Sequence, residues 1–200
     1  MRLKGQSVSS RLIIGELCRH TASIKARRNM RNKAYLPFLM LVIVGSMASH
    51  ISLTQADNGN LLVIDGKEYD FLGGIANRWV AITRSCRDVV LLRSQDSHYA
   101  RVEQLIKAYS PPSSHSARIA GMWSYDGWTV VETEFDDLLP AVVSLKTMRG
   151  ELVILPQAVW SGRTMPWVAA PLIRGYLARQ APEMPAVLLN CFEPRSAAFK

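Results

Sequence analysis

Apolar positions in this 200-residue chain come first as one unbroken run and afterwards as short periodic patches separated by turn residues. The run extends from Leu36 to Ala48 without a charge. It is shorter than the roughly 20 apolar residues that a helix needs to cross a bilayer, and it fits the roughly 7 to 15 of a signal h-region. Past it, Leu61 to Phe71 reads as two short strands around Asp65-Gly66, because both central positions of such a turn favour positive φ. Gly73-Gly74 ends that element. Trp79, Ile82 and Cys86 then recur at steps of three and four, which predicts a helix over 75–86, although Trp79 to Thr83 also passes as a strand. Val89 to Leu92 is a compact apolar strand.

The firmest periodicity lies over 97–109. Tyr99, Val102, Ile106 and Tyr109 share one helical face, Asp96 or Ser97 caps the start, Glu103 faces Lys107, and Pro111-Pro112 stops the helix. Two hairpins follow. One pairs 117–123 with 128–135 across Tyr125-Asp126-Gly127, and the other pairs 141–146 with 151–155 across Met148-Arg149-Gly150. A second helix runs from Pro166 or Pro171 to Gln180, placing Leu172, Ile173, Tyr176 and Leu177 on one side. Ala186 to Phe192 reads as an apolar strand, with a frayed polar tail after it. The predicted fold is α+β over 57–200, an antiparallel sheet of hairpins with two or three helices packed on one face.

Charge changes the reading of the first quarter of the chain. The 24 Lys and Arg exceed the 16 Asp and Glu by eight. Residues 1–56 carry nine of those cations, from Arg2 to Lys33, against the single acid Glu16, so the remainder is balanced at 15 and 15. A basic surface for nucleic acid is therefore not implied. Cations followed by an uncharged apolar run form an export address. Small-x-small triplets at Ser46-Met47-Ala48 and Thr54-Gln55-Ala56 offer cleavage sites, and the second, just before the polar Asp57-Asn58-Gly59-Asn60, is favoured. A start at Met30 gives a signal of ordinary size over 30–56, which makes 1–29 an overrun. The competing reading keeps 34–53 as a signal anchor with 1–29 as a basic cytoplasmic tail, and a membrane is then involved only through that segment. Both readings place the body outside the cytoplasm, in the periplasm or secreted. There Cys86 and Cys191 are expected to form one disulfide rather than stay as two buried thiols.

Candidate chemistry is sparse. No glycine-rich phosphate loop occurs, and His98 and His115 lack a second ligand at metal-binding spacing, so no cofactor, metal or catalytic set is predicted. Ser124 sits between glycines at the wrong spacing for a nucleophile elbow. Glu132, Glu134 and Asp136 alternate along one predicted strand. They are either the solvent face of an amphipathic strand or a cation site, an acid/base pair or a dock for a basic partner. Arg78, Arg84, Arg87 and Arg93 form a looser basic counterpart that pairs with those acids or stays solvated. Trp123, Tyr125 and Trp128 flank the first hairpin turn and either pack across the strands or present an aromatic platform. Trp160 and Arg163 mark a second exposed turn. The resulting expectation is a non-enzymatic exported protein that binds an envelope protein or a wall glycan. The alternatives are a membrane-anchored part of a secretion or conjugation assembly, and a hydrolase built on the acidic strand.

Overall fold

A computed structural model describes residues 39–41 and 50–199. The segments 1–38 and 42–49, with the basic stretch and most of the apolar run, lie outside the described residues. The chain divides into two compact units, 1–52 and 53–200. The second holds every element below except the first two residues of β1.

A three-stranded sheet comes first, ordered β1 (Ile51–Ala56), β2 (Gly59–Ile64), β3 (Lys67–Tyr69). Asp65 (φ 50°) and Gly66 (φ 76°) make the β2–β3 turn in the left-handed conformation that Asp-Gly accepts. β1 occupies residues that the favoured signal boundary at Ala56 assigns to the leader. Helix α1 (Phe71–Thr83) follows at once, and its first turn is capped by Asp70, whose Oδ1 accepts from Gly73 N at 2.7 Å.

The larger sheet is antiparallel and ordered β4 (Val90–Leu91), β5 (Arg118–Tyr125), β6 (Trp128–Glu134), β7 (Ala141–Met148), β8 (Glu151–Ser161). Asp126-Gly127 and Arg149-Gly150 make its two tight turns, all four residues at positive φ. β8 runs six residues beyond the expected end at Leu155. Its register against β7 shifts between Val143 and Leu145, opposite the part of β8 that contains Pro156. An edge strand tolerates a residue without an N–H at such an irregularity.

Helix α2 (Ser97–Tyr109) matches the predicted boundaries and packs Val102 and Ile106 on one face of this sheet, with Met122, Val131, Val143, Leu145 and Leu152. Its Lys107 meets Glu103 at 2.6 Å. Helix α3 (Ala169–Gln180) and helix α4 (Ala186–Cys191) cover the opposite face. There Ile173, Leu177, Leu188, Leu189 and Phe192 meet Trp123, Trp128, Val130, Val142 and Ala158. The helices thus lie on both faces, not on one. The reason is in the strands themselves, since β6 and β7 are buried at successive positions and the pairs Val130-Val131 and Val142-Val143 each send one apolar side chain to either face.

Ala186 to Cys191 is a helix, where a strand was expected. Six residues, five of them apolar, carry too little periodicity to separate the two, and Pro185 just before the first turn favours the helix. The tail after it is not frayed. Phe199 is buried against Trp160, with ring centroids 5.4 Å apart, and its carbonyl accepts from both N and Oγ1 of Thr164. Cys86 and Cys191 form a disulfide that joins the segment after α1 to the end of α4.

Candidate functional site

The acidic strand is not a solvent face. Strand pairing points Glu132 to the same side as Trp128 and Val130, under α3 and the tail, and its side chain is fully buried. Both its oxygens accept from Arg195 N, at 3.0 and 2.9 Å, and Oε1 also accepts from Ser196 N at 2.7 Å. Burial pushes this carboxyl above its ordinary range, the two amides pull it back, and Glu134 along the same strand raises it again. Glu134 accepts from the Ser196 hydroxyl. Asp136 lies beyond the end of β6 and pairs with Arg118 at the surface. Glu132 and Glu134 therefore fasten the C-terminal tail, and the three carboxylates do not share one open site.

The aromatic hairpin is likewise internal. Trp123 and Trp128 are only 5% and 4% exposed. The Trp123 ring lies across Gly121, where an added Cβ would come within 2.4 Å of it, and packs edge-on to Phe192 at 4.9 Å. Lys146 Nζ stands 4.6 Å from the Trp128 ring centre. Tyr125 and Trp160 are half-buried against the same core. Cross-strand packing accounts for these aromatics, and of this predicted binding set only Arg163 is fully exposed. Ser124 donates to Trp128 O, and His98 Nε2 stands 3.4 Å from Thr129 Oγ1. No group of three or more His, Cys, Asp or Glu among the described residues could hold a metal ion.

The basic counterpart does not meet the acidic strand either. Arg84 pairs with Glu193 at 2.9 Å and donates to Asn190 O. Glu193 also takes Arg174 at 2.8 Å and Asn77 at 3.2 Å. Arg174, nearly buried, donates to Phe192 O and to Asn77 Oδ1, and burial lowers its pKa while Glu193 opposes that fall. α1 is tied to α3 and to the chain after α4 by this polar cluster.

Among the described residues one concave region, of about 510 Å³, is lined by Arg118, Glu134, Asp136 and Arg163 among others, and two more have a substantial apolar wall. The first of these two, of about 430 Å³, lies between the end of α2 and strands β7 and β8, lined by Ile106, Phe135, Leu138, Leu139, Val143 and Ile154 among others. Two of its hydroxyls are already used: Ser114 Oγ donates to Lys107 O and accepts from Ser110 N, and Ser161 Oγ donates to Pro140 O. The second, of about 650 Å³, is a groove bounded by the β1–β2 turn, the start of α1 and α3. Its apolar wall is Leu72, Ala76, Pro171 and Leu172, and half-buried Trp167 stands beneath Gly59. Asp57, Asn58, Asn60 and Arg179 line the rest, and none of their side chains has a hydrogen bond or ion pair among the described residues. The Trp167 indole N–H is equally unpaired. Asp70 at the groove is committed, because its Oδ2 accepts from Val168 N at 2.9 Å and ties the start of α1 to the start of α3.

Trp167 and its neighbours are absent from the sequence-derived set. The local signal for them is the polar turn Asp57 to Asn60 and the tryptophan next to Pro166, which lie more than 100 residues apart and are joined only by the fold. Comparison with known protein families, with curated proteins and with solved structures gives no match.

Proposed function

We propose that this is an exported, non-enzymatic envelope protein that binds a wall glycan in the groove around Trp167. The observation that carries the reading is the grouping of unpaired amide, indole and guanidinium groups beside a half-buried aromatic ring. Sugars present alternating apolar C–H faces and hydroxyls, and a tryptophan face with convergent donors and acceptors suits both. Arg179 supplies a place for a carboxylate or acetamido oxygen. The Cys86–Cys191 disulfide accords with an oxidising compartment, and no described helix is long and apolar enough to cross a membrane. Processing after Ala48 leaves β1 whole, whereas cleavage after Ala56 removes a strand of the small sheet. The acidic strand offers little to a hydrolase, since Glu132 is occupied by backbone amides.

The reading is tested by calorimetric titration with soluble peptidoglycan fragments and N-acetylglucosamine oligomers. Trp167→Ala and Arg179→Ala are expected to weaken binding about tenfold or more, equivalent to about 1.4 kcal/mol. Arg163→Ala, on the turn after β8, leaves it unchanged. Absence of binding by the unaltered protein, or binding indifferent to Trp167, discards the proposal.

A further inference from the structure

Helix α1 has its apolar side turned outward. Phe71, Leu72, Ile75, Trp79 and Ile82 are each between 54% and 71% exposed, and no residue of the helix is buried. At 3.6 residues per turn these five side chains occupy an arc of about 100°, with Arg78 on its flank and Asn77 and Arg84 opposite. That opposite side is held to the body by the Asn77–Glu193, Arg84–Glu193 and Arg174–Asn77 contacts and by the disulfide two residues beyond Arg84. The orientation is therefore fixed by polar bonds and a covalent link, and rolling the apolar arc inward would break all of them. A stripe of this composition in open water is a docking surface.

We propose that the outward face of α1 lies on a lipid bilayer. A bilayer accepts what this face offers: a wide aliphatic and aromatic arc with Ile75 near its middle and Trp79 toward one side, one flanking cation and no acid on the helix. A second copy of the same face would bring Arg78 against Arg78 or leave it unpaired, because α1 has no carboxylate to answer it. Strand β3, separated from α1 by the capping Asp70, adds exposed Lys67, Glu68 and Tyr69, whose charges cancel, so insertion of apolar side chains supplies the attachment and lipid charge only tunes it. The apolar run 36–48, of which only 39–41 are described, ends 23 positions before α1 begins at Phe71, so in the signal-anchor reading α1 follows a membrane-bound segment closely along the chain. The face borders the Trp167 groove and shares Leu72 with its wall, and the proposal stands on Ile75, Trp79 and Ile82 whether or not that groove binds a sugar.

The test uses the protein as isolated from the envelope, with whatever N-terminus it carries, added to vesicles of phosphatidylcholine and phosphatidylglycerol whose acyl chains are brominated. Bromine is expected to quench a part of the tryptophan emission, and that part is missing in Trp79→Phe. Ile75→Glu, at an exposed position and so without effect on melting, abolishes the Trp79 quenching and lowers vesicle partitioning at least tenfold. Two results overturn the proposal. One is Trp79 unquenched by bromolipid and open to aqueous iodide in the presence of vesicles. The other is Trp79 shielded from iodide without vesicles in a manner that rises with protein concentration, which assigns the face to a second copy.

Discussion

Helices α1 and α3 are 13 and 12 residues long, both bear an apolar side, and they touch each other, yet they are held in opposite ways. α3 buries Ala170, Ile173 and Leu177 against the five-stranded sheet and turns its charged end to solvent. α1 buries nothing, and it is retained by Asn77, Arg84 and the disulfide near its C-terminal end. Hydrophobic burial is non-directional and places a helix wherever apolar area can be removed from water. Hydrogen bonds and a disulfide are directional, so they can hold an amphipathic helix with its apolar side out. The contrast separates the part of the molecule that makes the core from the part that is presented by it.

The largest effect that would sharpen this contrast is expected in α3. Leu177→Ala leaves a cavity in the main core and costs about 2 to 5 kcal/mol, read from denaturant unfolding. Cys86→Ser with Cys191→Ser costs about 2 to 5 kcal/mol as well, and hydrogen exchange should show protection lost in α1 before it is lost in α3. Equal loss in both helices would break the distinction. Glu132→Ala orphans the amides of Arg195 and Ser196 and costs about 1 to 3 kcal/mol, with the tail freed to proteolysis.

Glu132→Gln sharpens the point through pH. The folded protein holds the Glu132 proton more tightly than the unfolded chain, because burial raises its pKa. The folded state therefore binds more protons than the unfolded state just above the ordinary carboxylate range, and stability contributed by this group falls as pH rises through that interval. The glutamine keeps an oxygen for both amides and has no charge to desolvate, so its unfolding midpoint should lose that downward slope just above the ordinary carboxylate range. The smallest effect belongs to α1, where Ile75→Ala should change stability by no more than about 0.5 kcal/mol. A loss of several kcal/mol there would mean that the outward face is covered in the free protein.

Much of the architecture was legible because it rests on local chemistry. α2 agrees with its predicted bounds, since Pro111 ends it and Val102 and Ile106 carry one unambiguous stripe. The three tight turns agree because Asp65-Gly66, Asp126-Gly127 and Arg149-Gly150 supply the positive φ that such hairpins require. Apart from the helix at Ala186–Cys191 and the length of β8, the misreadings concern what covers a surface. The alternation of Glu132 and Glu134 with Val131 and Thr133 gave no hint that residues 195 and 196 would lie over the acidic side. Trp123 and Trp128 beside a turn look exposed until α3 and α4 close over them. The candidate groove was not legible, because Asn58, Asn60, Trp167 and Arg179 meet only after three separate elements have packed.

Taken alone, the chain's residue order determined the tight turns, most of the strands and the existence of its longer helices, and it set the uneven charge of the first 56 residues against the balanced rest. These depend on neighbours a few positions apart, and backbone sterics and periodicity act at that range. Tertiary structure alone decided which side of α1 faces water, that the larger sheet is covered on both faces, and that a buried carboxylate grips the C-terminal tail. The first and the last of those outcomes join residues more than 60 positions apart, and the second joins separate elements across the loops between them. An amphipathic segment records that it has an apolar side, and only its packing partners determine whether that side is hidden or shown.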